Sequence, residues 1–252
     1  MRKNLVVFLL ALFIAGAAFF VYKDTINSPF LLNKGDTNNE ITTTKIAIID
    51  SGANLDQVNY DHNIKIKQHN ILDGSTDISD TDNNGTYLFS ALYNDIYSLN
   101  LANDVLLIKA FESSDSIKNA NIIKAINYAV ENKVSVINLG YELKQSEKLD
   151  KAINKALEAN IKIVTIKKDE NSYPANLKNV ISVTSTEDTK LNSTIKVDDS
   201  ISVMCRNNKC TTKTTKAFNV ITASGYLMNN DLDSKNELTL KYNYGLDVND
   251  NN

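Results

Sequence analysis

The sequence predicts an α/β fold in which a mostly parallel sheet lies between layers of helices. Three observations carry that prediction. Short apolar runs of strand length recur at Lys45–Asp50, Asp104–Ala110, Val134–Leu139, Ile161–Ile166 and Val180–Ser185. The first two runs are almost continuous Val, Ile, Leu or Ala and the others are rich in Val and Ile with polar interruptions, which is nearer to a strand buried on both faces than to a half-exposed one. Segments of helical period fill the intervals between runs, with short connections, so successive strands must run parallel through helical crossovers.

The elements follow in order. Lys45 to Asn54 reads Lys-Ile-Ala-Ile-Ile-Asp-Ser-Gly-Ala-Asn, a buried strand that delivers the Asp50 carboxyl to its carboxyl end and turns at Ser51-Gly52. In open α/β sheets, ligands gather at that end of the strands. The chain is then polar to Gly85, with Asp73, Asp77, Asp80 and Asp82 recurring. That stretch reads as a solvated acidic loop in preference to a calcium site. From Asn84 to Leu99, Leu88, Leu92, Ile96 and Leu99 keep helical spacing. Ser116 to Lys133 places Ile122, Ile126, Ala129 and Val130 on one helical face, and Ser146 reads as the N-cap of a helix carrying Leu149, Ile153 and Leu157. Beyond Lys190 the pattern becomes β-like and then helical from Thr214 to Met228.

Length and composition bound the function. The 252 residues hold one sizeable domain with appendages. A hydrophobic content of 42% and a net charge of -3 exclude a disordered chain and give no sign of nucleic-acid binding. No cofactor motif is present, and neither His62 nor His69 stands at a metal-ligand spacing from the cysteines.

The amino terminus has its own chemistry. Arg2 and Lys3 precede eighteen uncharged residues, Leu5 to Tyr22, a length that spans a bilayer core. The leading cations favour a cytoplasmic amino terminus and an extracytoplasmic remainder. A cleaved signal peptide is the rival, but Phe19 to Tyr22 prolong the apolar run past the small residues Ala15-Gly16-Ala17. The expected organisation is a signal-anchor over 1–23, a polar tether over 24–44, a folded domain over 45–229 and an acidic, Asn-rich tail over 230–252. Cys205 and Cys210 flank Arg-Asn-Asn-Lys, a spacing that suits a hairpin disulfide in an oxidising compartment or two reduced thiols.

The succession of segments resembles the subtilisin-like serine proteases. Ile-Ala-Ile-Ile-Asp50-Ser-Gly is similar to that family's aspartate motif, and Asn84-Gly85-Thr86 falls where the family has His-Gly-Thr. Val136-Ile-Asn138-Leu-Gly140 resembles the strand lining its substrate cleft, and Ser172-Tyr173-Pro174-Ala175 its Tyr-Pro-Ala segment, followed by the strand that ends Asn-Val-Ile-Ser-Val183. The resemblance covers Thr44 to Met228 and implies a three-layer fold with an Asp, His, Ser triad in that chain order. It also implies that the triad is degenerate here. Asp50 matches the aspartate, Asn84 stands at the histidine position, and Thr215, or Thr214 in a register shifted by one, stands at the serine position. Asp169 takes the place of the asparagine that would donate to an oxyanion, and a carboxylate repels such a charge. Asparagine offers no proton-accepting nitrogen, so it cannot serve as a general base. Gly140 and Tyr141 are the expected cleft contacts.

The resulting expectation is a membrane-tethered, extracytoplasmic pseudoprotease that binds a secreted peptide, or a membrane or cell-surface protein, without cleaving it. The alternatives are a divergent active endopeptidase and a structural partner of another membrane protein. Within the site, Asn84 is expected to donate its amide N–H to Asp50 in place of an imidazole.

Overall fold

The computed structural model describes residues 45–58, 60, 64–98, 104–197, 201–206, 209–228 and 238–240. The expected anchor and tether lie outside them, and among the described residues no helix is long and apolar enough to cross a membrane. The described residues belong to a unit that runs from Thr43 to Asn252.

Among the described residues, eight strands form one sheet in the order β10-β7-β6-β5-β4-β1-β3-β2, and every pairing in it is parallel. The strands are β1 (Lys45–Asp50), β2 (Lys65–Asn70), β3 (Asp104–Lys109), β4 (Val136–Leu139), β5 (Lys162–Ile166), β6 (Ile181–Ser185), β7 (Ile195–Val197) and β10 (Leu238–Leu240). A separate antiparallel hairpin joins β8 (Ile201–Arg206) to β9 (Lys209–Thr214). The helices are α1 (Asn84–Ser98), α2 (Asn119–Glu131), α3 (Glu147–Glu158) and α4 (Lys216–Leu227).

Two apolar layers hold the sheet. Ile46 and Ile48 of β1, Val105 and Leu107 of β3 and Val164 of β5 face Leu88, Phe89 and Leu92 of α1 and Phe218, Val220 and Ile221 of α4. Ala47 and Ile49, Leu106 and Ile108, and Ile137 and Leu139 face the opposite way, onto Ile122 and Ile126 of α2 and Leu149 and Ile153 of α3. Successive strand residues point to opposite faces, so a strand with helices on both sides must be apolar throughout. That is why β1 reads as an unbroken Ile-Ala-Ile-Ile run. Each large side chain so buried contributes about 1.5–3 kcal/mol relative to exposure.

Helix α4 is buried almost all round, from Phe218 through Leu227, and its Ala223-Ser224-Gly225 segment is small enough to lie close to the sheet. Helix α3 starts as the sequence predicts, with the Ser146 hydroxyl accepting from Leu149 N and acidic Glu147 and Asp150 in the first turn.

Two strands depart from the sequence reading. Strand β2 lies in the stretch read as polar loop, and β10 lies within the predicted tail, pairing Leu238–Leu240 with Ile195–Val197. Both are sheet edges. An edge strand needs only a few inward apolar residues and carries charge outward, as Lys65 and Lys67 do in β2, so neither leaves a continuous apolar run.

Strand order places the site. From β1 the chain passes to the edge strand β2, returns to β3 between them, and then crosses β1 to β4, β5, β6 and β7. The connections leaving the neighbours β1 and β4 therefore run to opposite sides, and such a reversal places a crevice at the carboxyl end of β1, where Asp50 sits.

Candidate functional site

The site begins where the last residue of β1 meets the first turn of α1. Two glycines make that meeting possible. Gly52 has a φ of +120°, and a Cβ on it would fall 2.1 Å from the Ile78 carbonyl oxygen. A Cβ on Gly85 would fall 2.1 Å from the Gly52 carbonyl oxygen. The turn after Asp50 and the start of α1 thus press backbone on backbone, which only glycine allows. Asn54 stitches the same corner, donating to the Asp80 carbonyl at 2.7 Å and accepting from Asp80 N at 3.0 Å.

Asp50 is only 6% exposed. Its Oδ1 accepts from Ser51 N at 2.8 Å and lies 3.1 Å from Ser51 Oγ. The same hydroxyl lies 2.9 Å from Asp80 Oδ1 and 3.1 Å from Asp82 Oδ1, and it accepts from Gly85 N at 3.2 Å. One hydroxyl proton therefore serves three carboxyl groups in turn. Asp80 and Asp82 have further donors at the amino end of α1: Thr86 N and Oγ1 donate to Asp80 Oδ2 at 2.8 and 2.6 Å, and Asn84 N to Asp82 Oδ1 at 3.0 Å. Carboxylates suit a helix amino terminus, where free N–H groups and the helix dipole favour negative charge.

Asp50 has fewer such donors. Burial pushes its carboxyl up to about 7; the Ser51 hydrogen bonds oppose that rise and the charges of Asp80 and Asp82 add to it. It is a carboxyl that gains or loses its proton near neutrality. The remainder of the acidic stretch behaves as a solvated loop should. Asp73 and Asp77 are exposed, and donors from Ser75 and Ser79 hold their carboxyls below the usual range. The sequence reading is corrected at Asp80, which is 4% exposed and internal. Among the described residues, no group of three or more His, Cys, Asp or Glu is placed to hold a metal ion.

Asn84 stands at the first residue of α1, but its amide serves Asp82 and not Asp50. Asn84 Nδ2 donates to Asp82 Oδ2 at 2.7 Å, and Asn84 Oδ1 accepts from the Lys213 ammonium. The expected Asp50–Asn84 bond is replaced by the relay Asp50, Ser51, Asp82, Asn84. The reason is geometric: Ser51 Oγ lies against Asp50 Oδ1 and Asp82 Oδ1 together, so the hydroxyl intervenes where a longer side chain would otherwise reach.

The other expected positions also have internal partners. Thr215 is the exposed N-cap of α4, its hydroxyl accepting from Ala217 N at 3.4 Å. Thr214 ends β9, and its side chain lies outside the described ones. Asp169 folds into its own turn, with Oδ1 accepting from Asn171 N at 2.8 Å. The backbone N–H groups of Lys168 and Asp169 both point at Ser172 Oγ, at 2.9 Å each, and that hydroxyl donates to Glu142 Oε1 at 2.7 Å. Neither of these two amides points outward at an oxyanion.

Gly140 and Tyr141, read as cleft contacts, are half-buried and also have partners within the fold. A Cβ on Gly140 would lie 3.2 Å from the Ala217 Cβ, so the residue lets the end of β4 approach the start of α4. The Tyr141 hydroxyl donates to the Ile49 carbonyl at 3.0 Å, with its ring edge-on to Phe111 at 5.1 Å. Burial, with the Asp50 charge behind it, holds that phenol well above its ordinary value and hence neutral. His62 lies outside the described residues, and His69 stacks on Tyr128 at 4.1 Å. Cys205 and Cys210 face each other directly in the β8–β9 register; their side chains are outside the described ones.

Sequence reasoning missed Ser51, Asp80, Asp82 and Lys213 as site residues. Only Ser51 carried a signal, through its place between Asp50 and Gly52.

Comparison with known proteins bears on the fold. No family model matches the chain, and no curated protein matches it. Among solved structures, a cold adapted subtilisin-like serine proteinase matches with a TM-score of 0.59 at 16% identity, over 78% of this chain and 81% of that one. The fold is subtilisin-like.

Proposed function

We propose that the chain is a catalytically inert pseudoprotease of subtilisin-like fold, which holds a secreted peptide or a partner protein without cleaving it. The observation that carries this reading is the bonding of Asn84. The residue at the base position has no proton-accepting nitrogen, and its amide is spent on Asp82 and Lys213. A hydroxyl at Thr215 consequently has no base to take its proton, and an alcohol without one is a poor nucleophile. The turn at Asp169, with a carboxylate and inward-facing amides, supports the same conclusion. Loss of both base and oxyanion donor removes the contributions that keep a damaged triad partly active.

The inferred location is the outer face of a membrane, with residues 1–23 as signal-anchor and 24–44 as tether, on the strength of Arg2, Lys3 and the uncharged run from Leu5 to Tyr22. That location is oxidising, and the opposed backbone positions of Cys205 and Cys210 suit a cross-strand disulfide there. An extended peptide would be held by adding a strand to an edge.

A fluorophosphonate probe tests the reading. The wild-type chain is expected to remain unlabelled and to leave casein intact, while an active serine protease in the same tube is labelled. Labelling that disappears on Thr215→Ala or Thr214→Ala would establish the divergent endopeptidase instead. Binding of a partner that is insensitive to substitutions around Asn84 and Thr215 would favour the purely structural role.

A further inference from the structure

Of the eight glycines in the chain, one follows an asparagine, and it is Gly85. Asparagine is a thermolabile residue, because the backbone nitrogen of the residue after it can attack its Cγ. A Cβ on that following residue would crowd the approach, and glycine has none. The fold cannot remove the hazard by placing another residue there, since a Cβ at position 85 would fall 2.1 Å from the Gly52 carbonyl oxygen. Close packing of α1 on the turn after Asp50 therefore sets a reactive Asn–Gly pair at the first two residues of α1.

The bonds around Asn84 hold the two reacting atoms apart. Asp82 grips the residue from its amino-terminal side, with Oδ1 accepting from Asn84 N at 3.0 Å and Oδ2 from Asn84 Nδ2 at 2.7 Å. Helix side chains lean toward the amino end, and this clamp keeps the Asn84 amide there, away from the next backbone nitrogen. The amide oxygen is held as well, by the Lys213 ammonium. Gly85 N in turn donates to Ser51 Oγ at 3.2 Å, so the nucleophile faces the Ser51 hydroxyl and not the Asn84 Cγ. Ring closure needs the amide to swing toward Gly85, which breaks its bonds to Asp82 and Lys213 together.

We propose that Asn84 is a latent deamidation site, kept as the amide by the folded start of α1 and converted to aspartate or isoaspartate when that first turn opens. The reaction needs only the chain and one water. Gly85 N bonds to Asn84 Cγ, the Cγ–Nδ2 bond breaks, and ammonia leaves with the proton from Gly85 N, giving a succinimide. Water then opens the ring at one carbonyl to give aspartate, or at the other to give isoaspartate. Aspartate exchanges the NH2 that serves Asp82 for an acidic oxygen, so two carboxylates face each other. Isoaspartate adds a methylene to the main chain inside the first helical turn, where the backbone ladder has no place for it. The modification thus marks, irreversibly, those copies whose α1 start has opened. It is independent of whether the site cleaves peptides.

Mass spectrometry tests it on the full chain, incubated in mildly alkaline buffer with and without denaturing urea and then digested. The readout is the mass gain of an amide-to-acid exchange, localised to Asn84 by fragmentation. The folded chain is expected to convert about tenfold more slowly, or slower still, than the chain in urea, because opening of the turn must precede ring closure. Lys213→Met and Asp82→Ala each remove one hold on the amide. In buffer both should convert severalfold faster than the wild type, and in urea both should match it. Hydrogen exchange of β1, β4 and β5 should stay at the wild-type level in the two variants, which separates release of the turn from loss of the fold. Equal conversion of the wild type with and without urea would overturn the proposal, as would an Asn84 that stays unconverted in urea. Wild-type rates in both variants, with the sheet still protected, would overturn the role given to Asp82 and Lys213. Should either variant lose that protection, the comparison of folded and urea-treated wild type decides alone.

Discussion

Replacing Asp50 by Asn removes one titrating group and changes little in shape, which makes it a direct probe of the buried carboxyl cluster. Burial raises the Asp50 carboxyl from 3.8 to about 7 in the folded chain. A tenfold change in proton affinity corresponds to about 1.4 kcal/mol, so the folded state binds this proton more tightly than the unfolded chain by about 4 kcal/mol. A raised carboxyl stabilises most while it is protonated. Its contribution is complete below about pH 4, declines between about pH 4 and 7, and is gone above that. Asp73 and Asp77 act in the opposite sense but elsewhere. Their carboxyls are held low, so their stabilisation is lost only as pH falls below the ordinary carboxylate range. Urea denaturation of wild type and Asp50→Asn across about pH 4 to pH 8 isolates the effect, because titrations common to both proteins cancel in the difference. The stability of the wild type relative to the variant is expected to fall by about 4 kcal/mol over that range, at up to about 1.4 kcal/mol per pH unit. Parallel curves, constant within about 0.5 kcal/mol, would show that Asp50 titrates normally and that its burial among Ser51, Asp80 and Asp82 is wrong.

Three further substitutions probe single contacts. Gly85→Ala places a Cβ 2.1 Å from the Gly52 carbonyl oxygen and should cost about 2–4 kcal/mol in chemical denaturation; a loss under about 1 kcal/mol would mean that the two backbones are not pressed together. Thr165 is fully buried and its hydroxyl has no hydrogen-bond partner among the described residues, so Thr165→Val should raise stability by about 1 kcal/mol, and a loss of that size would reveal a partner. Asn84→Leu leaves Asp82 Oδ2 and Lys213 without their shared amide and should cost about 1–3 kcal/mol, an outcome that equal stability of the two proteins would rule out.

The sequence alone determined the central sheet. Strands β1 and β3 are the most legible because a parallel strand covered on both faces is largely apolar, and β4, β5 and β6 keep enough Val and Ile around Asn138, Thr165 and Ser182 to follow the same local pattern. The cap of α3 at Ser146 is equally local, since the hydroxyl and the amide it serves lie within three residues. Gly52 and Gly85 marked the corner of the site because their backbone environment tolerates no Cβ. Tertiary structure decided the rest. Strands β2 and β10 exist only because the sheet offers them an edge, and their own sequences are too polar or too short to announce it. The partners of the site residues are set in the same way. The Asn84–Asp82 bond is local, across two residues, but Ser51 meets Asp80 across 29 and Lys213 meets Asn84 across 129, so no local pattern could bring Ser51 to the acidic loop or a lysine to the histidine position. A hydrogen bond depends on where two atoms end up, and for residues so far apart in sequence only the packing of α1, α4 and the hairpin fixes that.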